Sequence, residues 1–205
     1  MKLRQVLNED KRFHWEFSIV WYVGAANRPI RVTAGIFSGV RHLNLLQNAV
    51  SKILIMKLLL TCTSGGHFAT MRSLRSFWSG HDRVWVTDCK GDTQCLEDES
   101  EHVHWLPYQA PRDGLTFLKN LPATLQILRQ ERPDMVVSTG ASVAVNFAIA
   151  ARLLNIRFLY VESISRAQDL SLSGKLVYPL SNEFYVQWPE LCERYPRAIY
   201  RGMVA

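Results

Sequence analysis

The spacing of apolar residues along the chain changes at Met56. From there on, short apolar runs of strand length alternate with longer stretches in which apolar residues recur at helical spacing. Strands are predicted at 58–61, 83–87, 135–138, 158–161, 184–186 and 198–200. Helices are predicted at 68–78, 115–132, 142–154 and, over a shorter stretch, 175–180. The alternation predicts an α/β domain over residues 56–205.

The predicted strands are apolar throughout rather than at every second residue. A strand of this kind is buried on both faces, which is typical of a parallel sheet covered by helices on both sides. We therefore predict a doubly wound, Rossmann-like, mostly parallel sheet. Such sheets bind ligands at the carboxyl ends of their strands.

Residues 1–55 show no sustained apolar period of 2 or 3.6, although 43–55 could form a short helix. This segment holds eight Lys or Arg against three Asp or Glu, whereas residues 56–205 hold sixteen against fifteen. The nearly neutral second part does not favour nucleic-acid binding, which requires a basic face on the folded domain. We interpret 1–55 as an extension outside the native fold, and a basic, aromatic arm on a membrane surface is the alternative.

The four cysteines, Cys62, Cys89, Cys95 and Cys192, are scattered without CxxC spacing, and no signal-peptide pattern is present. We therefore expect a reducing, cytoplasmic setting. The most apolar long stretch, 45–60, is interrupted by polar and basic residues, so we expect no membrane-spanning helix.

Residues of types that bind metals occur close together at Cys89, Cys95, His102 and His104. Their C-x5-C and H-x-H spacings match none of the usual structural zinc patterns. We therefore predict no bound metal.

The strongest candidate for chemistry follows the first predicted strand of the α/β domain. Glycines allow a sharp turn from strand to helix, and the amides at a helix start offer donors and partial positive charge to an anion. A histidine there adds a side chain that titrates near neutral pH and could act as a general base, or could simply pack against its helix. The residues of this turn are Ser64, Gly65, Gly66 and His67.

Two further loops should reach the same edge of the sheet, because they follow the third and fourth predicted strands of this domain. Glu162 follows one of these strands, and a second small, hydroxyl-rich turn follows the other. Two helix starts facing one crevice favour an acidic, phosphate-bearing ligand. The second turn consists of Ser138, Thr139, Gly140 and Ala141.

Several common nucleotide and hydrolase motifs are missing from the sequence. The 64–67 turn lacks the Lys-Ser/Thr ending of a Walker loop and the full G-x-G-x-x-G fingerprint, and the nearest acidic candidate for a ribose contact is Asp88. No G-x-S-x-G elbow supports a small hydrolase. Nucleotide hydrolysis and hydride transfer are therefore disfavoured.

The first predicted helix carries apolar residues at helical spacing, with Arg72 and Arg75 between them. We interpret its apolar face as core. Trp78 and the two arginines would also suit a helix that rests on an anionic membrane.

The C-terminal third resembles one known family, the acceptor-binding, membrane-associating subunits of two-subunit UDP-sugar glycosyltransferases. In eukaryotes this subunit helps to add the second N-acetylglucosamine to dolichol-diphosphate-N-acetylglucosamine, and bacterial relatives act in capsule and exopolysaccharide assembly. The resemblance covers Met56 to about Gly202, and the lack of a clear N-terminal spanning helix favours the bacterial type. The motifs that carry it are Tyr160-Val161-Glu162-Ser163, Ser171 to Pro179, Val186 to Leu191 and Tyr195-Pro196.

The resemblance implies a domain equivalent to the N-terminal, acceptor half of a GT-B glycosyltransferase. The 64–67 turn would face the lipid-linked diphosphate, His67 would deprotonate the acceptor hydroxyl, and Glu162 would join it as a catalytic residue. The turn at 138–141 would line the acceptor crevice. Contacts with a partner or a membrane are expected from Trp78, Trp188, Pro189 and Glu190.

About 150 residues make one doubly wound domain, whereas a GT-B enzyme needs two. We therefore expect a heterodimer in which a separate subunit binds the nucleotide-sugar, so this chain needs no cofactor and is inactive alone. The expected reaction is an inverting, metal-independent hexosyl transfer to a polyprenyl-diphosphate-linked sugar. It would take place on the inner face of the plasma membrane, or on the cytosolic face of the endoplasmic reticulum in a eukaryote. The alternative is a non-catalytic scaffold that anchors the catalytic partner.

Overall fold

The computed structural model describes residues 55–110 and 114–204 in full and, before them, the backbone of three strands. The chain separates into two compact units, Met1–Leu54 and Ile55–Ala205. The first contains an antiparallel sheet with the order β1-β2-β3, formed by Lys2–Leu7, Phe13–Val23 and Arg28–Ala34.

The expectation that the first unit lacks a regular pattern was wrong. In β2 the apolar residues alternate with other residues at Phe13, Trp15, Phe17, Ile19 and Trp21, which is the period of a strand. The pattern is hard to recognise because Val20 and Tyr22, between these positions, are also apolar. The short helix predicted at 43–55 lies outside the described residues except for Ile55.

The second unit contains a seven-stranded sheet in which every pairing is parallel. The strands lie in the order β10-β9-β8-β7-β4-β5-β6. Their bounds are Lys57–Thr61 (β4), Asp82–Thr87 (β5), Val103–Trp105 (β6), Met135–Ser138 (β7), Arg157–Val161 (β8), Glu183–Val186 (β9) and Ala198–Tyr200 (β10). Strands β4 to β6 follow one another toward one edge of the sheet, whereas β7 to β10 follow one another toward the other edge. The boundary between β4 and β7 is therefore the switch point where doubly wound sheets bind ligands.

Seven described helices accompany the strands. They are α1 (Gly66–Ser73), α2 (Arg75–Trp78), α3 (Cys95–Asp98), α4 (Gly114–Glu131), α5 (Val143–Leu154), α6 (Leu172–Val177) and α7 (Glu190–Arg194). Among the described residues, none of the helices combines the length and the apolar character needed to cross a bilayer. The helices cover both faces of the sheet, so the predicted fold class is confirmed.

Alternate residues of each strand supply two separate cores. Leu58 and Leu60 pack in the cluster that includes α1, α2 and α3, whereas Leu59 packs in the cluster with α4 to α7. All three leucines are fully buried. Burial on both faces explains why the strands are apolar at every position rather than at every second one.

The predicted helix at 68–78 is interrupted at Leu74, which separates α1 from α2. The Trp78 indole Nε1 donates a 2.8 Å hydrogen bond to the Met71 carbonyl near the end of α1, and the Trp78 ring packs edge-on against Trp85. Trp78 is only 2% exposed. The expectation that Trp78 contacts a membrane or a partner is therefore corrected, since this side chain belongs to the core.

Three short elements differ from the sequence-based expectation. The edge strand β6 was missed because it is only half buried and polar at His104. The terminal helix α7 was also missed, and α6 begins at Leu172 instead of Lys175. The earlier start has a local cause, because the Ser171 hydroxyl caps α6 by accepting from the Gly174 amide.

Candidate functional site

The loops after β4, β7 and β8 meet at the carboxyl edge of the sheet, as predicted. The first contact is between the start of α1 and the loop after β7. His67 Nδ1 lies 2.8 Å from the Thr139 carbonyl oxygen, and the Thr139 hydroxyl donates a 2.7 Å hydrogen bond to the His67 carbonyl. These reciprocal hydrogen bonds hold the imidazole at the switch point.

Gly140 makes room for that imidazole. A Cβ atom at this position would lie 2.6 Å from both Cε1 and Nδ1 of His67, and the φ of Gly140 is +127°. Both the close approach and the backbone conformation favour glycine. Gly140 of the second turn therefore leaves the space that the imidazole of His67, from the first turn, occupies.

The hydrogen bond from His67 also fixes its tautomer. A carbonyl oxygen can only accept, so Nδ1 carries the hydrogen and Nε2 of the neutral ring keeps its lone pair. The imidazole is half-buried, and the described residues provide no hydrogen-bond partner for Nε2. This is the arrangement of a general base whose other nitrogen is held by the protein.

The first half of the glycine turn is arranged differently from the prediction. The amide and hydroxyl of Ser64 each donate a 2.8 Å hydrogen bond to the buried carboxylate of Asp88, and the Gly65 amide donates to Asp92. Gly65 adopts a φ of +83°, which permits the turn. Ser64 and Gly65 therefore do not offer free amides to a diphosphate, and that expectation is corrected.

The start of α1 remains suited to an anion. The helix begins at Gly66, so the amides of Gly66 and His67 belong to its first turn, where backbone donors have no partner within the helix. Lys90 lies on the neighbouring loop, with its ammonium 3.7 Å from Asp88 and 3.9 Å from the centre of the Tyr108 ring. The lysine offsets the charge of Asp88 on this side of the crevice.

The loop after β7 is mostly enclosed. Ser138 and Thr139 are fully buried, and the Ser138 hydroxyl accepts from the Gly140 amide at 3.3 Å. Ala141 is half-buried with a φ of +65°, an uncommon conformation for a residue with a Cβ atom. Of the four residues predicted to line the crevice here, Ala141 is the one with accessible surface.

Glu162 lies beneath the edge rather than on its surface. Its carboxylate is fully buried and accepts hydrogen bonds from the Ser163 amide, the Ser171 amide and the Ser171 hydroxyl at 2.9–3.0 Å. A Cβ at Gly174 would clash with its Oε2. The predicted catalytic role of Glu162 is therefore corrected, because the carboxylate is enclosed and anchors the loop that leads into α6.

Two other buried groups at this edge have perturbed acidity. Burial raises the pKa of the Cys62 thiol to about 12, so Cys62 is not a nucleophile near neutral pH. Burial, with the nearby Glu162 charge, also raises the pKa of Tyr160. The Tyr160 hydroxyl lies 3.4 Å from the Cβ position of Gly140 and has no hydrogen-bond partner among the described residues.

The predicted partner residues at 188–190 lie at the carboxyl end of β9. Pro189 and Glu190 are exposed, whereas Trp188 is half-buried and its indole donates a 2.7 Å hydrogen bond to the Ile164 carbonyl. Trp188 therefore ties the start of α7 to the loop after β8. The exposed surface at this position comes from Pro189 and Glu190.

Sequence reasoning did not assign a role to several polar residues at this edge. Asp88 and Asp92 hold the glycine turn, and the position of Asp88 directly after a predicted strand was the available signal. Gln109 follows β6, a strand that was not predicted, and its carbonyl accepts from the Ser142 hydroxyl at 2.7 Å. Arg166 is an exposed cation on the loop after β8.

Comparison with known sequences identifies related proteins. The family model described as "Oligosaccharide biosynthesis protein Alg14 like" matches residues 112–204. A protein of Yarrowia lipolytica named UDP-N-acetylglucosamine transferase subunit ALG14 is 30% identical over 175 residues, or 72% of this chain and 81% of the relative. The Homo sapiens protein of the same name is 36% identical over 100 residues, or 46% of each chain.

Solved structures with the same fold are more distant in sequence. MurG of Acinetobacter baumannii superposes with a TM-score of 0.56 at 18% identity, over 65% of this chain and 42% of that chain. The UDP co-structure of MnaA from S. aureus has a TM-score of 0.60 at 14% identity, over 73% of this chain and 46% of that one. These matches support the Rossmann-like fold of GT-B proteins. The sequence relatives show more, namely that the chain belongs to the Alg14-like family of oligosaccharide biosynthesis proteins.

Proposed function

We propose that this chain is the acceptor-binding and membrane-recruiting subunit of a heterodimeric glycosyltransferase. The enzyme would transfer a sugar from a nucleotide-sugar to a polyprenyl-diphosphate-linked sugar. Relatives named as UDP-N-acetylglucosamine transferase subunits support N-acetylglucosamine as the transferred sugar. The proposed location is the cytosolic face of a membrane.

The catalytic part of the proposal rests on the position of the His67 imidazole. Its Nδ1 is held 2.8 Å from the Thr139 carbonyl, so Nε2 is the nitrogen available to accept a proton. In the proposed step, Nε2 takes the proton from the acceptor hydroxyl while that oxygen attacks the anomeric carbon of the donor. The bond from this carbon to the diphosphate oxygen breaks, UDP leaves, and the configuration inverts.

The acceptor diphosphate would lie against the start of α1. The amides of Gly66 and His67 are the backbone donors there, and Lys90 and Arg166 are nearby cations on the loops after β5 and β8. The occupied amides of Ser64 and Gly65 would shape the turn without contacting the diphosphate. Ala141 would contribute to the crevice wall.

The nucleotide-sugar would be bound by a separate subunit. The described second unit forms one doubly wound sheet, whereas GT-B enzymes bind donor and acceptor between two such domains. Pro189 and Glu190 are exposed at the same edge as His67 and are the proposed contact with that subunit. No resident metal or cofactor is needed for the proposed step.

The test uses the full chain assembled with its copurifying transferase subunit. His67→Gln keeps a polar side chain of similar length but removes the base, so turnover should fall by roughly 10²–10⁴-fold. The matched control is His81→Gln, because His81 is also half-buried but lies at the amino edge of the sheet, where its Nδ1 accepts from the Met56 amide. The control should retain turnover.

Assembly and membrane attachment are measured on the same variants, by copurification of the two subunits and by sedimentation with anionic vesicles. An assembled, membrane-bound His67→Gln enzyme with undiminished turnover would remove His67 from catalysis. That outcome would favour the alternative, in which this chain anchors the catalytic partner and supplies no reacting group.

A further inference from the structure

A cluster of two histidines and one carboxylate lies at the opposite end of the strands from the crevice. His102 directly precedes the edge strand β6, His104 lies within it, and Glu131 is the last residue of α4. The ligand atoms of all three residues lie within 4.8 Å of one another. The proposed transfer reaction uses none of them.

The strand geometry explains how the two histidines meet. Side chains two residues apart on an extended chain point to the same side, so the H-x-H pair presents both rings together. The ring centres are 5.1 Å apart. The Nε2 atoms of His104 and His102 lie 2.7 and 3.8 Å from the same oxygen, Oε1 of Glu131.

The other carboxylate oxygen of Glu131 is held independently. The Lys57 ammonium donates a 2.9 Å hydrogen bond to Oε2, which orients the carboxylate and leaves Oε1 facing the histidines. Glu131 has only 5% of its side chain exposed, whereas His102 has 57% exposed. A ligand held by these three residues would therefore have a fixed carboxylate on the protein side and an open side toward solvent.

We propose that His102, His104 and Glu131 bind a divalent transition-metal ion, with Zn²⁺ as the best match. Imidazole nitrogens and a carboxylate oxygen are ligands that zinc prefers, with a water molecule in the fourth position. Zinc ligand distances of about 2.0–2.2 Å place neighbouring ligand atoms about 3.3–3.6 Å apart in a tetrahedron. His104 and Glu131 would separate slightly, and His102 would move closer.

The charges around the cluster also favour this assignment. The C-terminal end of α4 at Glu131 carries the negative end of the helix dipole, which attracts a cation. The positive charge of Lys57 would repel the ion, but its ammonium contacts Oε2 of Glu131, whereas the histidines face Oε1. A bound ion would connect β6 to the end of α4, so its role is structural and independent of the transfer reaction.

The cysteines that sequence spacing had grouped with these histidines are not ligands. Cys89 and Cys95 lie on the loop and helix that follow β5, at the carboxyl end of the sheet. The Cys95 thiol donates to the Asp92 carbonyl at 3.3 Å. The proposed site differs from the sequence-based expectation of no metal because Glu131 is distant in the chain and was not considered as a ligand.

The test measures metal binding by the full chain after removal of metal with a chelator. Co²⁺ is titrated and followed by its visible absorption bands, and Zn²⁺ affinity is measured by competition with a chromophoric chelator. One ion per chain is expected. His102→Gln, His104→Gln and Glu131→Gln should each weaken binding by more than the roughly 10–100-fold typical of losing an outer-shell partner.

Controls separate this site from others on the chain. The Cys89→Ser/Cys95→Ser double variant and His81→Gln should bind the metal like the unchanged chain. His102→Gln is the decisive variant, because this side chain is mostly exposed and its loss should leave the fold intact by circular dichroism. Failure to bind one equivalent, or binding that survives the His102→Gln/His104→Gln double variant, would overturn the proposal.

Discussion

Two loops at the carboxyl edge each depend on a glycine that leaves room for a polar side chain, but the two side chains have different roles. In the loop after β7, Gly140 leaves room for the His67 imidazole, and in the first turn of α6, Gly174 leaves room for the Glu162 carboxylate, which anchors the loop after β8. His67 is half-buried and has one nitrogen engaged. Glu162 is fully buried, with both oxygens accepting hydrogen bonds.

The comparison shows that a polar residue at the carboxyl end of a parallel strand is not by its position a reactive residue. A catalytic group needs an available proton site and access for the substrate. Complete burial with every acceptor used instead indicates an anchor, whose removal leaves several donors unsatisfied. Substitutions in the two loops should therefore affect different properties.

The largest expected effect is that of Gly140→Ala on turnover. The added methyl would displace the His67 ring, so turnover of the assembled enzyme should fall by roughly 10²–10⁴-fold, as for loss of a base. The strained backbone should also lower the free energy of unfolding by about 1–3 kcal/mol. Gly80→Ala is the control, because a Cβ there meets nothing within 4 Å.

The Gly140→Ala experiment combines a turnover assay with denaturant unfolding of the same preparations. If Gly140→Ala had turnover close to that of Gly80→Ala while His67 remained essential, the imidazole would not depend on the space beside Gly140. Gly140 and Gly174 would then not differ in the way we describe.

The next effect is on stability and concerns the anchor. Glu162→Ala removes the acceptor of two amides and a hydroxyl, at a cost of about 1–3 kcal/mol for each buried donor left unpaired. The free energy of unfolding, measured with denaturant, should fall by several kcal/mol. The free energy of unfolding should fall less in Glu162→Gln, since the side-chain amide oxygen can still accept a hydrogen bond.

Turnover per folded molecule distinguishes the two roles of Glu162. An anchor predicts that the folded fraction of Glu162→Gln retains most of its turnover in the assembled enzyme. A well-folded Glu162→Gln enzyme with turnover as low as that of His67→Gln would restore Glu162 as a catalytic residue.

A smaller effect should be visible at acid pH in the loop that Glu162 anchors. Hydrogen bonds from Lys175 and Tyr195 lower the pKa of Asp169 from 3.8 to about 2. Because the folded pKa lies below the unfolded one, the ionised carboxylate stabilises the fold above pH 4, and this contribution is lost as the pH falls toward 2.

The measurement compares the free energies of unfolding of the unchanged chain and Asp169→Asn between pH 2 and pH 6. The difference should be constant above about pH 4 and should shrink toward pH 2. Asp98→Asn, an exposed acid in α3, serves as the control. A difference that is independent of pH would mean that the ion pair does not stabilise this loop.

The smallest effect is expected from removing the first unit. Gly140 and Gly174 both lie within residues 55–205, as does the whole seven-stranded sheet, so a protein that begins at Met56 should keep a cooperative thermal unfolding transition. Calorimetry or circular dichroism on heating would measure it. Loss of the transition would show that residues 1–55 belong to the native fold, contrary to our interpretation of the sequence.

Most of the second unit could be predicted from the sequence. The strands at 135–138 and 198–200 were predicted with their observed bounds, and β4, β5, β8 and β9 were each predicted one residue short. A strand buried on both faces has a strong apolar signal. The edge strand β6 and the break at Leu74 have weaker signals, because tertiary contacts rather than local pattern stabilise them.

The sequence alone determined the alternation of strands and helices, because that pattern depends on which residues can be buried. It also located the glycine turn and His67, because a strand followed by glycines and a helix is a local motif. Only the tertiary structure decided what each polar residue does, since the deciding contacts join distant positions. Thr139 engages His67 across 72 residues, Asp88 occupies Ser64 across 24, and Glu131 meets His104 across 27. No local pattern specifies such hydrogen bonds, because they depend on where separate loops meet after folding.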